Sequence, residues 1–331
     1  MSQKLIDSYN RPIDYLRISV TDRCNLRCVY CMPSEGIALM NADNILRYEE
    51  LMRVAAIAVK HGITKIRITG GEPLVRKGIV EFIEELAKLK GIIDLSLTTN
   101  GVLLKEFALS LKRAGLTRVN VSLDSLNKER FHKITRGDFL ENVMDGLEEA
   151  ERAGLSPVKI NCVVIKGFND DEILDFALLT KKKPFHIRFI EYMPFEAEAA
   201  WDRDKCISAS QIMEKINSLQ NLIPLGNHEK RTGPARRYKF IDGIGEIGFI
   251  NPVSDHFCGS CNRLRLTADG KLRTCLFSDD EVDIKAAIRN NCTDREIEDL
   301  LFRAVKEKPE GHRINDNIFK KCSRTMSFIG G

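Results

Sequence analysis

The feature that most restricts the fold is an alternation of two hydrophobic periods through the first two-thirds of the chain. Period-two patterning, the mark of a strand, occupies residues 15–21, 65–69, 94–99, 118–123, 158–165 and 186–192. Helical periodicity covers 48–61, 77–89, 103–114, 139–153 and 170–180 between them. Gly62, Gly91, Gly115 and Gly154 close several of these helices, as C-caps do. Strands that alternate with helices pair in parallel through right-handed crossovers, either in an open doubly wound sheet or in a barrel. The polar residues decide between them. An open parallel sheet is covered on both faces and its strands read apolar throughout. Here Arg17 and Ser19 share a face opposite Leu16, Ile18 and Val20, and Arg67 and Thr69 share one opposite Ile66 and Ile68. The pattern repeats in Ser96, Thr98 and Asn100, in Asn120, Ser122 and Asp124, and in Lys159 and Asn161. A complete eight-stranded barrel fills its interior with side chains. The expectation is therefore a partial (β/α)6 TIM-like barrel with a polar lumen over residues 1–194.

Beyond residue 194 the pattern changes to an α+β extension, 195–331. A helix at 208–219 precedes strand-like runs at 237–241 and 245–250, then an Asp-Gly hairpin turn at Asp269 and Gly270. Charged helices follow at 283–289 and 294–305.

Ten cysteines are unusual for a chain of 331 residues. Six form two sets. Cys24, Cys28 and Cys31 are spaced C-x3-C-x2-C, and Cys258, Cys261 and Cys275 are spaced C-x2-C-x13-C. The other four, Cys162, Cys206, Cys292 and Cys322, read as small buried hydrophobes. The first residues are polar, without the apolar core of an export signal, so a reducing, cytoplasmic setting and metal-bound thiols are expected rather than disulfides. Structural zinc closes with four ligands, and a four-iron cube also takes four. A set of three borrows a ligand or leaves a coordination position open for a substrate. For the second set zinc stays open as an alternative, because His256 stands two residues before Cys258.

Hydrophobic residues make up 43% and charged residues 30%, and no apolar run is long enough to span a bilayer. Lys and Arg number 51 against 47 Asp and Glu, an excess of four that argues for neither nucleic acid nor membrane as a partner. A zinc-stabilised nucleic-acid adaptor remains the non-catalytic alternative.

The segment from Cys24 to Cys31, with Tyr30 before the third cysteine, resembles the signature of the radical S-adenosylmethionine superfamily. The run Gly70, Gly71, Glu72, Pro73 at the end of the second strand resembles its glycine-rich motif, where backbone carbonyls approach the cofactor's ammonium. The segments 257–270 and 273–276, with 21–23, 67–73, 98–101, 122–125, 189–194, 308–312 and the terminal Gly330 and Gly331, resemble the GTP 3′,8-cyclase family of molybdenum-cofactor biosynthesis over nearly the whole chain.

That resemblance implies two [4Fe–4S] clusters, one on Cys24, Cys28 and Cys31 and one on Cys258, Cys261 and Cys275. The open iron of the first would take S-adenosylmethionine, and that of the second would face the purine of GTP. Tyr30, Gly71, Ser122 and Met193 would lie on the cofactor side. Arg17, Arg67, Thr98, Lys159, Arg263 and Arg265 would hold GTP, with Arg17, Arg263 and Arg265 also catalytic. The implied reaction is hydrogen abstraction from ribose C3′ by a deoxyadenosyl radical, attack of the C3′ radical on guanine C8, and reduction of the cyclised radical to give 3′,8-cyclo-GTP. A one-electron reductant and a downstream cyclic pyranopterin monophosphate synthase are implied partners, and a homodimer is compatible. The terminal glycines would form an inserted tail. Residues 196–200 depart from the family's Asp-Gly-Asn-like turn. The competing enzymatic reading is a radical enzyme acting on another nucleotide or a peptide, its second cluster a fully ligated electron relay.

Overall fold

The structure is a computed structural model that describes residues 3–193, 202–226, 233–312, 314 and 322–330. Residues 196–200 and Gly331 therefore lie outside the described residues. Six strands, β1 (Tyr15–Ser19), β2 (Lys65–Thr69), β3 (Asp94–Thr99), β4 (Arg118–Ser122), β5 (Lys159–Val164) and β6 (His186–Glu191), pair in parallel in sequence order. Helices α1 (Tyr48–Lys60), α2 (Ile79–Ala87), α3 (Leu104–Arg113), α4 (Lys128–Thr135), α5 (Leu140–Arg152) and α6 (Ile173–Lys182) connect them. Gly62 and Gly154 take positive φ beyond α1 and α5, which a residue without a Cβ does at least cost.

Helix α4 is absent from the sequence expectation. Half of its eight residues are charged, only Phe131, Ile134 and Thr135 are buried, and the helical period is weak. Asn127 starts it by accepting from the Arg130 backbone N–H, an N-cap bond.

One face of the strands packs beneath the helices through Leu16, Ile18, Ile66, Ile68, Leu97, Val119, Val121, Ile160 and Ile187, all fully buried. Residues on the opposite face of β1 to β6 line a single cavity, so the sheet curves around it.

The extension does not form a separate layer. It supplies α7 (Ala209–Asn217), β7 (Ile223–Pro224), β8 (Arg236–Lys239), β9 (Glu246–Ile250), β10 (Arg263–Leu266), β11 (Lys271–Arg273) and β12 (Val282–Asp283). Strand β9 pairs parallel with β6, and β10 pairs parallel with β1, so one sheet runs β12-β11-β10-β1-β2-β3-β4-β5-β6-β9-β8-β7. The sheet is thus continuous across the 194/195 division. Helices α8 (Ile284–Arg289), α9 (Asp294–Lys306) and α10 (Met326–Ile329) complete the described chain.

Register puts the polar residues in rungs across the lumen. Arg265, Arg17, Arg67, Ser96 and Arg118 form one. Thr98, Asn120, Lys159 and His186 form the next, and Ser122, Asn161 and Arg188 a third.

Candidate active site

The first thiol loop leaves β1 and runs directly over the Gly70–Gly71 turn. Gly71 N–H donates to the Thr21 carbonyl at 2.7 Å, and Glu72 N–H to the Arg23 carbonyl at 2.7 Å. A Cβ on Gly71 would stand 2.2 Å from the Arg23 oxygen, so only glycine fits. The close approach is to the chain that delivers Cys24. Buried Glu72 accepts from Leu74 N–H at 3.0 Å, the Thr99 hydroxyl at 2.8 Å and Asn100 N–H at 2.6 Å, and burial raises its carboxyl to about 7. Asn100 Nδ2 in turn donates to Asn25 Oδ1 at 2.7 Å and reaches Cys24 Sγ at 3.7 Å.

The other flank of the loop rests on α4. Arg27 N–H and Val29 N–H donate to the Thr135 and Ile134 carbonyls, both at 2.9 Å. Within the loop, the Cys28 carbonyl accepts from Cys31 N–H at 2.9 Å and Met32 N–H at 3.1 Å, a tight turn between the last two thiols. The Tyr30 hydroxyl donates to Asp124 Oδ2, and Val163 N–H donates to Asp124 Oδ1 at 2.7 Å, which ties the loop to β4 and β5. Burial, then the neighbouring thiols, pushes Cys28 well up and Cys31 to about 12. Buried thiols so reluctant to ionise gain their thiolates from a metal's positive charge.

The second set surrounds a 3-10 turn, Cys258–Ser260, with Cys261 N–H donating to the Cys258 carbonyl at 3.0 Å. Arg11, held by Asp7 at 2.5 Å, donates to the Cys258, Glu310 and Pro309 carbonyls at 2.7, 2.6 and 2.6 Å. Lys308, 4% exposed, donates to the Arg263 carbonyl at 3.1 Å and to the Thr274 carbonyl. Burial alone would raise Cys261, but the Arg263 guanidinium and Lys308 ammonium draw it down to about 6. A thiolate poised for metal results.

All six cysteines border one cavity of about 350 Å³. Among the described residues, no three His, Cys, Asp or Glu side chains close around a point as ligands of a single ion do. A four-iron cube distributes its thiolates over separate irons, and two sets of thiols on the wall of a common space fit that demand.

Arg17, Arg67, Arg118, Arg188, Arg263 and Arg265 reach the cavity between the thiol sets. Asp94 pairs with Arg118 at 2.5 Å. Arg17 Nε is buried without a hydrogen-bond partner, as are Thr98 Oγ1 and Asn161 Oδ1. Burial and then Arg265 lower Arg17 well below its ordinary value; burial and mutual repulsion bring Arg188 and Arg265 to about 9. Guanidiniums crowded this closely call for a polyanion, which relieves the repulsion and fills the open donors.

Tyr30, Gly71, Ser122, Met193, Arg17, Arg67, Thr98, Arg263 and Arg265 are thus brought to the same cavity. Lys159 shares the lumen face in register with Asn120 and His186 but is not among the residues that form the cavity wall. Arg118 and Arg188 were missed, although period-two spacing from Asn120 and from His186 marks them as lumen-facing. The segment 322–330 also enters. Arg265 Nη1 donates to the Gly330 carbonyl at 2.8 Å, and Ser327 lines the cavity and hydrogen-bonds Cys31.

Comparison with known proteins places this geometry. Residues 18–180 match the radical SAM superfamily, and 185–314 match the family described as Molybdenum Cofactor Synthesis C. The GTP 3′,8-cyclase of Thermodesulfovibrio yellowstonii is 54% identical over 98% of this chain and 99% of its own length. The chain belongs to the GTP 3′,8-cyclase family. The GTP 3′,8-cyclases of Alkaliphilus oremlandii and Moorella thermoacetica are 48% and 49% identical, each over 98% of this chain and 99% of their own. Among solved structures, Streptococcus suis SuiB bound to S-adenosylmethionine aligns with a TM-score of 0.60 at 16% identity, over 90% of this chain and 69% of its own, a likeness of fold.

Radical SAM membership implies a [4Fe–4S] cluster and S-adenosylmethionine. In this GTP 3′,8-cyclase family member, the three thiols on the βα loop after β1 are the residues that fit such a cluster. The Gly71 turn packs on the chain that delivers Cys24, and Ser122 lies on the wall of the same cavity. No helix among the described residues is long and apolar enough to cross a membrane.

Proposed function

We infer that this chain is a GTP 3′,8-cyclase that removes the hydrogen atom from ribose C3′ of GTP and joins C3′ to guanine C8, the cyclised radical then taking up one electron from a reductant and one proton. The product, 3′,8-cyclo-GTP, begins molybdenum-cofactor biosynthesis. The observation that carries this reading is the row of buried, under-neutralised cations set between two sets of three cysteines in one cavity.

Cys24, Cys28 and Cys31 would hold one [4Fe–4S] cluster, and Cys258, Cys261 and Cys275 a second. When bound, the first cluster supplies the electron that splits S-adenosylmethionine into methionine and the deoxyadenosyl radical. This chain's own residues then have separable tasks. Tyr30, Gly71, Ser122 and Met193 shape the cofactor side. Arg17, Arg67 and Lys159, joined by Arg118 and Arg188, neutralise the triphosphate. Planar guanidiniums suit its oxygens in pairs, and their fixed positions on strands orient the ribose without reorganisation. Thr98 brings an unused hydroxyl to the same wall. Arg263 and Arg265 project from β10 beside the second thiol set, so they would hold GTP with its base toward that set. The curved sheet covers the cavity on one side and so limits the access of water to a carbon radical.

A one-electron reductant, a cyclic pyranopterin monophosphate synthase that accepts the product, and a cytoplasmic location belong to this reading. So does the division at 194/195, the barrel carrying the radical source and the extension the second cluster.

The test is anaerobic incubation of the holoenzyme with GTP, S-adenosylmethionine and a reductant. Formation of 5′-deoxyadenosine and 3′,8-cyclo-GTP is expected. Their absence with both clusters intact would overturn the assignment, and 5′-deoxyadenosine without a GTP product would point to another substrate.

A further inference from the structure

The segment 322–330 meets both sides of the site, and an ion-pair cluster outside the cavity is what holds it. Arg324 presents its guanidinium to two carboxylates at once. Nη1 and Nη2 bond Asp269 Oδ1 and Oδ2 at 3.1 and 2.9 Å. Nε lies 2.8 Å from Glu281 Oε1, and Nη2 donates to Glu281 Oε2 at 2.9 Å. All three side chains are largely shielded, at 22, 14 and 17% exposure. Two planar forks on one guanidinium leave little rotational freedom, and shielding from water strengthens both.

The location of the carboxylates gives the cluster its meaning. Asp269 stands in the turn between β10 and β11, the hairpin that carries Arg263 and Arg265 on one strand and leads to Cys275 from the other. Glu281 also accepts from Arg273 of β11 at 2.5 Å. Arg273 is fully buried and donates to Cys322 Sγ at 2.9 Å. Ser323 adds bonds from its N–H and its hydroxyl to Asp279, at 3.1 and 2.9 Å. The hairpin that bears the second thiol set therefore grips the segment at 322–324.

From that grip the chain enters α10 and the lumen. Ile329 is 1% exposed, Ser327 hydrogen-bonds Cys31 of the first set, and the Gly330 carbonyl accepts from Arg265. A Cβ on Gly330 would stand 2.4 Å from Thr69 Oγ1, so the seat has no slack.

We propose that Arg324, forked between Asp269 and Glu281, is a positioning residue that sets the segment 325–330 between Cys31 of the first thiol set and Arg265 of β10. Its hold keeps Ser327 on Cys31 and the Gly330 carbonyl on Arg265, so the two sides of the site are held at a fixed spacing. This rests on the cyclase reading for its catalytic consequence only.

The experiment uses the holoenzyme with both clusters, in the wild type and in Arg324→Ala, Arg324→Lys and Asp269→Asn. Arg295→Ala serves as control, since Arg295 and Asp299 form an exposed pair. In Arg324→Ala, amide exchange across 325–330 should rise about tenfold or more, while exchange in β1 to β6 stays as in the wild type. The kcat for 3′,8-cyclo-GTP should fall about tenfold or more at unchanged iron content, with a smaller change in KM for S-adenosylmethionine. Arg324→Lys should recover part of both losses, because it keeps the charge but not the fork. Should Arg324→Ala fail to fold, Asp269→Asn decides, and the same pattern at smaller amplitude is expected. Undiminished protection of 325–330 in the variants, or loss of protection with kcat unchanged, would overturn the proposal. A wild type that makes no 3′,8-cyclo-GTP would overturn the cyclase reading instead, and the exchange data would then decide the clamp by themselves.

Discussion

Replacing Lys159 with Met should abolish a proton uptake that accompanies GTP binding. In the free protein, burial first and then the Arg188, Arg118 and Arg67 guanidiniums drive the Lys159 ammonium down to about 5. At pH 8 only about 0.1% of such a group carries its proton. To be charged in the complex it must move by at least about three units, roughly 4 kcal/mol. A single negative charge brought to about 4 Å supplies about 4 kcal/mol at an effective dielectric near 20, and a triphosphate brings several. The complex should therefore hold Lys159 protonated, with close to one proton taken up per GTP. The sign follows from linkage. Where the group's pKa is higher in the complex than in the free protein, binding takes up a proton between the two values. The Kd for GTP should then rise about tenfold per pH unit in that window. Calorimetric titration with GTP at pH 8 in buffers of differing ionisation enthalpy reads the proton count from the slope. GTP is itself fully ionised there, and Arg188 and Arg265, near 9, contribute only about a tenth of a proton each. A slope near one in the wild type and near zero in Lys159→Met is expected. A flat wild-type slope, or equal slopes in both, would refute the reasoning.

Gly71→Ala places a Cβ 2.2 Å from the Arg23 carbonyl, against backbone that no side-chain rotation can clear. The loop bearing Cys24 should be displaced and about half of the iron lost while the second cluster persists; iron analysis beside 5′-deoxyadenosine formation checks this, and full iron content would count against the packing argument. Tyr30→Phe removes the hydroxyl that donates to buried Asp124 and leaves its carboxylate with the Val163 N–H. A stability loss of about 1–3 kcal/mol is expected from denaturant midpoints, and an unchanged midpoint would deny the Tyr30–Asp124 bond a structural role.

The six barrel strands were legible because each carries two alternating codes, one for the packed face and one for the lumen. Strands β2 and β3 fall at the expected residues, and the others end within two residues of them. Helix α4 escaped because a charged eight-residue helix buries too few side chains to impose a period, yet its last carbonyls position Arg27 and Val29 in the first thiol loop. The roles of β9 and β10 were less legible still. Each is a run of four or five residues whose parallel partner lies far away in sequence, and local patterning carries no information about which edge a strand will join.

The same division explains the site. Cys spacing and the Arg263–Arg265 alternation are local and could be read directly. The rung Arg265, Arg17, Arg67, Ser96, Arg118 is not local, since it exists only once β10 docks on β1 and fixes the register of five strands. Arg118 opens its strand and Arg188 stands two residues after His186, so each carries the lumen-facing spacing, but its place in a row of cations appears only beside the neighbouring strands. Their common purpose emerges from the crowding: each lies near enough to Lys159 to help suppress its charge. A lumen that keeps its lysine neutral is incomplete as an electrostatic object without an anion. Docking β10 beside β1 therefore does two things at once. It brings the second thiol set opposite the first, and it adds to the row the positive charge that makes a polyphosphate the fitting occupant of the space between them.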